Sequence, residues 1–214
     1  QMRIISPSLL SADFRNIEND IFIVENAGAL RLHLDIMDGH FVPNLTFGPM
    51  IIKSIRKTTE CHLETHLMIE KPHESLEQYI EAGSDTIIFH LEASNNPEKD
   101  LMYIRDKNVY AGIAINPDTD ENRLLPFLDI LDYILVMSVF PGKGGQAFIH
   151  KILNKMKNIV SMCENRKIII GVDGGINLNT ISAVFATKID VAIVGSGLFR
   201  AQDIVQRYGE LLNA

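Results

Sequence analysis

Two histidines and two aspartates sit where strand geometry can bring them together. In Leu32-His33-Leu34-Asp35-Ile36 successive side chains point to opposite faces, so His33 and Asp35 share one face and the leucines take the other. His66 falls toward the end of Glu64-Thr65-His66-Leu67-Met68, and Asp173 closes Ile169-Ile170-Gly171-Val172-Asp173. Gathered around one point, these two imidazoles and two carboxylates suit a single divalent metal ion: Zn²⁺, Fe²⁺, Mn²⁺ or Co²⁺. The residue types do not choose among the four. A lone inward His or Asp is more often structural, but four at strand ends reverse that, since unpaired buried carboxylates are costly without a cation. Glu64 shares the face of His66 one layer deeper, where an ion pair or hydrogen bond is as good a reading as catalysis. His90, His40, His62, His73 and His150 read as structural or surface residues.

Glycine gathers in three other places, Pro141-Gly142-Lys143-Gly144-Gly145-Gln146, Gly174-Gly175 and Gly195-Ser196-Gly197. Simple turn chemistry accounts for any one of them. Together, after three successive strands, they suit backbone N–H groups closing around a phosphate. Met37, Met68 and Met137 each fall at or just past a strand end. Methionine is ordinarily core filler, but at one common level these form an apolar collar beside a metal site.

The elements that must position these residues recur as a βα unit. Apolar runs occur at Ile4–Leu9, Arg31–Asp35, His62–Met68, Thr86–His90, Tyr110–Ile115, Tyr133–Ser138, Lys167–Asp173 and Val191–Val194. Helical stretches are predicted between them near 14–27, 48–57, 73–82, 98–107, 120–128, 149–163, 178–186 and 203–212. Strict alternation predicts an α/β fold with a parallel sheet covered by helices. A closed (β/α)8 TIM barrel is favoured over an open doubly wound sheet. The repeat count matches, polar residues gather at strand C-terminal ends, and the first turn, Leu9-Leu10-Ser11-Ala12-Asp13, has no glycine. With 214 residues, 46% of them hydrophobic, and no low-complexity linker, residues 1–214 are expected to form a single barrel domain.

A net charge of −7 gives no basic field for nucleic acid, while a small phosphorylated substrate remains compatible with local backbone donors. Cys61 and Cys163 form no CxxC pattern and no disulfide framework, which fits a cytoplasmic location. No apolar run approaches membrane-spanning length, so no membrane partner is expected. Gln1 ahead of Met2 reads as an appended residue.

Along almost its whole length the sequence resembles the ribulose-phosphate 3-epimerase family. The resemblance is carried by Ser6-Pro7-Ser8-Leu9-Leu10-Ser11-Ala12-Asp13-Phe14, by the stretch His33-Leu34-Asp35-Ile36-Met37-Asp38-Gly39-His40-Phe41-Val42-Pro43-Asn44, by His66-Leu67-Met68, by Val136-Met137-Ser138-Val139, by the glycine loop 141–146 and by Val172-Asp173-Gly174-Gly175-Ile176. It implies metal ligands at His33, Asp35, His66 and Asp173, and acid–base residues at Asp35 and Asp173. It further implies substrate and phosphate contacts at Ser8, His66, Gly142, Lys143, Gly144, Gly145, Asp173, Gly174, Gly175, Gly195 and Ser196. The methionine collar is likewise a family feature, and a homo-oligomer, dimeric or larger, is implied. One departure stands out: Lys143 occupies the place where the family usually has Phe.

The activity this implies is interconversion of D-ribulose 5-phosphate and D-xylulose 5-phosphate, a pentose-phosphate reaction that moves a proton at C3. Asp35 and Asp173 would exchange roles as base and acid, the metal would offset enediolate charge, and one carboxyl would have to stay protonated beside its neighbour. A D-allulose-6-phosphate 3-epimerase shares the site pattern. A phosphate-binding barrel aldolase or decarboxylase is the second enzyme alternative; the aldolase would need a Schiff-base lysine at the mouth, which the strand ends lack. A non-catalytic sugar-phosphate sensor is disfavoured because both carboxylates are present.

Overall fold

Every one of the apolar runs becomes a strand in the computed structural model, which describes residues 3–214; the reading of Gln1 lies outside them. The strands are β1 (Ile4–Pro7), β2 (Arg31–Met37), β3 (His62–Met68), β4 (Thr86–His90), β5 (Tyr110–Ile115), β6 (Tyr133–Met137), β7 (Ile169–Asp173) and β8 (Val191–Val194). All pair in parallel in the order β1-β8-β7-β6-β5-β4-β3-β2. A parallel bridge between Ser8 and His33 links the two end strands and brings the sheet round into a barrel. The helices are α1 (Ile17–Asn26), α2 (Pro49–Arg56), α3 (Leu76–Glu81), α4 (Pro97–Asp106), α5 (Ile152–Met162), α6 (Ile181–Phe185), α7 (Ser196–Phe199) and α8 (Ile204–Asn213).

Alternation along the strands sorts the side chains. Leu32, Leu34, Ile36, Leu63 and Leu67 face outward and pack with Ile21, Val24, Ile52 and Ile55 of the covering helices. Each such side chain, fully buried, contributes about 1.5–3 kcal/mol of transfer free energy. The barrel interior divides in two. Ile88, Ala114, Tyr133, Leu135, Met137, Val191 and Ile193 form an apolar cluster. Ser6, His33, Asp35, Glu64, His66 and His90, from β1 to β4, are polar and equally buried. Register sets their level: Asp35 pairs with His66, Met37 with Met68 and Met137 with Asp173.

Departures from the sequence expectations are local. The helical stretch expected near 120–128 winds as a 3-10 rather than an α-helix, over Glu121–Phe127. Pro126 lacks the N–H that an α-helical turn needs, and the Asp120 side chain accepts the N–H of Asn122, two residues on. The stretch 73–82 divides at Ser75 into a 3-10 turn and α3. β1 stops at Pro7, β2 runs on to Met37, and the short α7 follows β8 where no helix was predicted. Among the described residues no helix is long and apolar enough to cross a membrane.

Candidate active site

At the C-terminal mouth of the barrel four donors converge. His33 Nε2 lies 3.4 Å from Asp35 Oδ1, 3.4 Å from His66 Nδ1 and 4.0 Å from Asp173 Oδ2. His66 Nδ1 lies 3.1 Å from Asp35 Oδ1 and 3.7 Å from Asp173 Oδ2. One donor atom from each of the four residues falls within 4.8 Å of all the others. Nitrogen and oxygen donors on a tetrahedral ion sit about 3.4 Å apart, given bonds of about 2.1 Å. The spacing therefore fits a divalent cation. A second observation agrees: His33 Nδ1 is buried without a hydrogen-bond partner, 3.5 Å from Glu64 Oε2. A carboxylate behind a ligating imidazole holds the ring with its other nitrogen free for the ion. Glu64 is held in turn by Arg31 and by the Ser6 hydroxyl. It is thus an ion-paired, hydrogen-bonded group behind the site.

Charge in this cluster is unevenly shared. Burial opposes ionisation of Asp35, yet the His33 and His66 rings outweigh it and hold the carboxyl below its usual range. Asp173 goes the other way, raised to about 7 by burial first and by the Asp35 charge second. Burial also penalises a charged His33, but Asp35, Glu64 and Asp173 overcome it and raise that imidazole. His66 is lowered to about 4 by burial, aided by neighbouring rings. Burial and neighbouring charge thus set the two mouth aspartates apart, Asp35 holding its charge more readily than Asp173.

Above the cluster opens a cavity of about 220 Å³. Asp35, Asp173 and Ser8 line it, with Met37, Met68 and Met137 in its wall. Gly142, Lys143, Gly144, Gly145, Gly174, Gly175, Gly195 and Ser196 complete it. The structure therefore brings the residues singled out from the sequence to one place. His33 and His66 are the exceptions in one respect, for both lie fully buried behind the cavity wall. Ser8 Oγ donates to Asp35 Oδ2 at 2.6 Å, which ties it to the carboxylate. His40 and His73 are exposed, and His62 bonds Thr86 at the far end of the barrel.

The loops are built to hold this shape. Asp38 accepts the N–H groups of His40 (2.8 Å), Phe41 (3.0 Å) and Glu70 (2.8 Å), which fixes the turn after β2. Thr46 accepts from Met37 N–H at 2.9 Å and donates to the Asp35 carbonyl at 2.7 Å, pinning the strand end that carries Asp35. Gln146 staples its own loop by donating to the carbonyls of Phe140 and Lys143. Gly175 has φ +67°, and a Cβ there would lie 2.6 Å from the backbone nitrogen of Phe148, so no side chain fits.

Four residues with a part in the site escaped the sequence reading. Thr46 carries no signal except its position after the loop. Arg200 lines the cavity beside Gly145 and Ser196, and among the described residues its guanidinium has no carboxylate partner. His90, fully buried, and Glu92, half-buried, stand in a row behind His66; the pairing of β3 with β4 places His90, and the turn after β4 carries Glu92.

Comparison with known proteins gives the family of the chain. A model of the ribulose-phosphate 3 epimerase family matches residues 4–199. The ribulose-phosphate 3-epimerase of Bacillus subtilis (strain 168) is 38% identical over 210 residues, covering 97% of this chain and 97% of its own. That of Mycobacterium leprae (strain TN) is 40% identical over 205 residues, covering 94% and 89%. Among solved structures, KGPDC from Streptococcus mutans superposes with a TM-score of 0.74 at 14% identity, covering 100% of this chain and 97% of that one. The 3-hexulose-6-phosphate synthase of Salmonella typhimurium gives 0.72 at 17% identity, covering 98% and 97%. At such identity these two speak for the barrel alone. The match across the barrel and the near full-length relatives place the chain in the ribulose-phosphate 3-epimerase family, and it is an isomerase.

Proposed function

We propose that the chain interconverts D-ribulose 5-phosphate and D-xylulose 5-phosphate by two-base proton transfer at C3, with one divalent cation per chain. The observation that carries this is the pair Asp35 and Asp173. They line one cavity from β2 and β7, strands separated by β1 and β8. Asp35, ionised and oriented by Ser8 and Thr46, takes the proton from C3 on one face of the substrate. Asp173, holding its proton, delivers it to the other face. Each turnover leaves the proton on Asp35 and the charge on Asp173, which is the starting state for the reverse reaction. A divalent cation held by His33, Asp35, His66 and Asp173 supplies Lewis-acid stabilisation of the charge that forms when the proton leaves.

The remaining lining residues bind and orient. Met37, Met68 and Met137 exclude water from C3 and strengthen the electrostatics around it. The glycine loops offer backbone N–H groups to the phosphate, and Lys143 and Arg200 add positive charge at the same end. Holding the phosphate there aligns C3 between the carboxyls.

The first test is a side-by-side assay of D-ribulose 5-phosphate and D-allulose 6-phosphate, before and after chelation. Faster turnover of the pentulose, lost on chelation and restored by metal, is expected. A preference for the hexulose keeps the chemistry and moves the substrate, which is the direction the Lys143 departure allows. No turnover of either with metal restored would sink the reading.

Arg200 gives a second expectation. A charge-assisted bond from an exposed guanidinium to phosphate is worth about 1.4 kcal/mol, or about tenfold in binding. Arg200→Gln should therefore raise KM for the phosphorylated ketose about tenfold and leave kcat within about twofold. Steady-state kinetics of the variant beside wild type checks this; an unchanged KM removes Arg200 from the phosphate subsite.

A further inference from the structure

The two ligand histidines are backed in different ways. Glu64 stands directly behind His33, but behind His66 stands another imidazole. His66 Nε2 and His90 Nε2 are 2.9 Å apart, their rings 26° from parallel and both fully buried. His90 Nδ1 lies 3.3 Å from Glu92 Oε2. The other carboxylate oxygen, Glu92 Oε1, accepts from Asn116 N–H at 2.9 Å and from the Thr119 hydroxyl. Lys155 clamps the segment that provides those donors by bonding the carbonyls of Asn116, Pro117 and Thr119.

Once His66 Nδ1 offers its lone pair to a cation, the hydrogens along this row have one consistent placement. A neutral imidazole carries one N–H and one lone pair. With Nδ1 bare, His66 Nε2 carries the hydrogen and His90 Nε2 accepts it. His90 Nδ1 then carries a hydrogen that needs an acceptor, and Glu92 Oε2 is that acceptor. In the opposite sense pulls Asp35, whose Oδ1 lies 3.1 Å from His66 Nδ1 and invites the hydrogen there. Something must oppose it if Nδ1 is to stay free.

We infer that Glu92, acting through His90, is a positioning residue that sets the tautomer of His66 and so keeps its Nδ1 available to a cation. The inference rests on the metal-centre reading of the proposed function. It asks no group in the row to change its charge. It does require the far end of the row to be an acceptor only, which an ionised carboxylate is and an amide is not.

Glu92→Gln is the discriminating substitution. Its carbonyl oxygen stays with Asn116 N–H and Thr119, because the reversed amide would set N–H against N–H. The NH₂ group then faces His90 Nδ1, which must accept. His90 Nε2 becomes a donor, His66 Nε2 an acceptor, and the hydrogen moves to His66 Nδ1, where it blocks the cation. No ligand has been removed.

The experiment has two readouts. Imidazole ¹⁵N NMR of the metal-free protein should show His66 shifting toward the Nδ1–H tautomer in Glu92→Gln. Zinc affinity, measured by chelator competition, should weaken about 10–100-fold, the usual cost of losing such an outer partner. Glu92→Asp, which keeps an acceptor-only group, should recover most of both. An unchanged tautomer, or wild-type zinc affinity in Glu92→Gln, would overturn the inference. So would a loss of melting temperature with the tautomer unmoved, since that marks a structural role only. If the wild type takes up no zinc while the His66 tautomer still follows residue 92, the metal-centre reading falls and the relay stands.

Discussion

Turnover in Asp173→Asn should fall by about 10³–10⁴-fold, and Asp35→Asn should match it, because on the proposed two-base mechanism each variant lacks one of the two groups that exchange a proton with C3. The carboxamide keeps the shape of the side chain and neither takes nor gives the proton. The variants differ in structural cost. Asp35 accepts Ser8 Oγ at 2.6 Å and is the charge that both imidazoles face, so an amide there takes a buried anion away from its partners. Asp173 sits where its charge is disfavoured by burial and by Asp35, so the metal-free Asp173→Asn protein should melt no lower than wild type. Loss of activity without loss of stability would separate chemistry from folding at that position.

A two-base mechanism makes a sharper claim about the half-reactions. With Asp173 replaced, Asp35 can still remove and return the C3 proton on its own face. Solvent deuterium should then wash into C3 of one epimer without inversion, and Asp35→Asn should do this with the other epimer only. Single-turnover mass spectrometry reads both. Near-normal epimerisation in either variant would refute the assignment, and exchange of both epimers by one variant would point to a single base.

The sequence made the strands and the four-donor cluster legible for the same reason. Alternation puts His33 and Asp35 on one face, and parallel register carries that face to His66, so three donors follow from period-2 geometry and a fourth from the matching end of β7. The glycine loops stood out because they recur after three successive strands, and at Gly175 the backbone admits nothing larger. His90 did not, since Phe89-His90-Leu91-Glu92 shows an inward histidine and nothing of the ring it faces. That contact depends on β3 and β4 lying side by side and on a loop after β5 reaching back to Glu92. Thr46 binds a backbone carbonyl, which every residue has and no pattern marks. Arg200 follows a helix, α7, too short to register as a period.

Gly171→Ala should cost about 3 kcal/mol of folding stability, the upper range for one added methyl in a filled core. Gly171 lies in the middle of β7, paired with Leu135 on β6 and Val191 on β8. A Cβ there would come 2.2 Å from the hydroxyl oxygen of Tyr133 and 2.9 Å from two of its ring carbons. The ring has nowhere to go, because Tyr133 is buried among Ile88, Leu135 and Val191 inside the barrel. Relief must come from the backbone of β7, and two residues further along that strand carries Asp173. The loss of stability should therefore bring a loss of kcat, although residue 171 touches no substrate. Urea denaturation measures the first and steady-state kinetics the second. Adding Tyr133→Phe removes the atom at 2.2 Å but not the ring edge, so the double variant should regain part of the lost stability, a coupling that independent sites would not show. Stability within about 0.5 kcal/mol of wild type in Gly171→Ala would mean the barrel interior yields, and the fixed level of Asp173 would then need another cause.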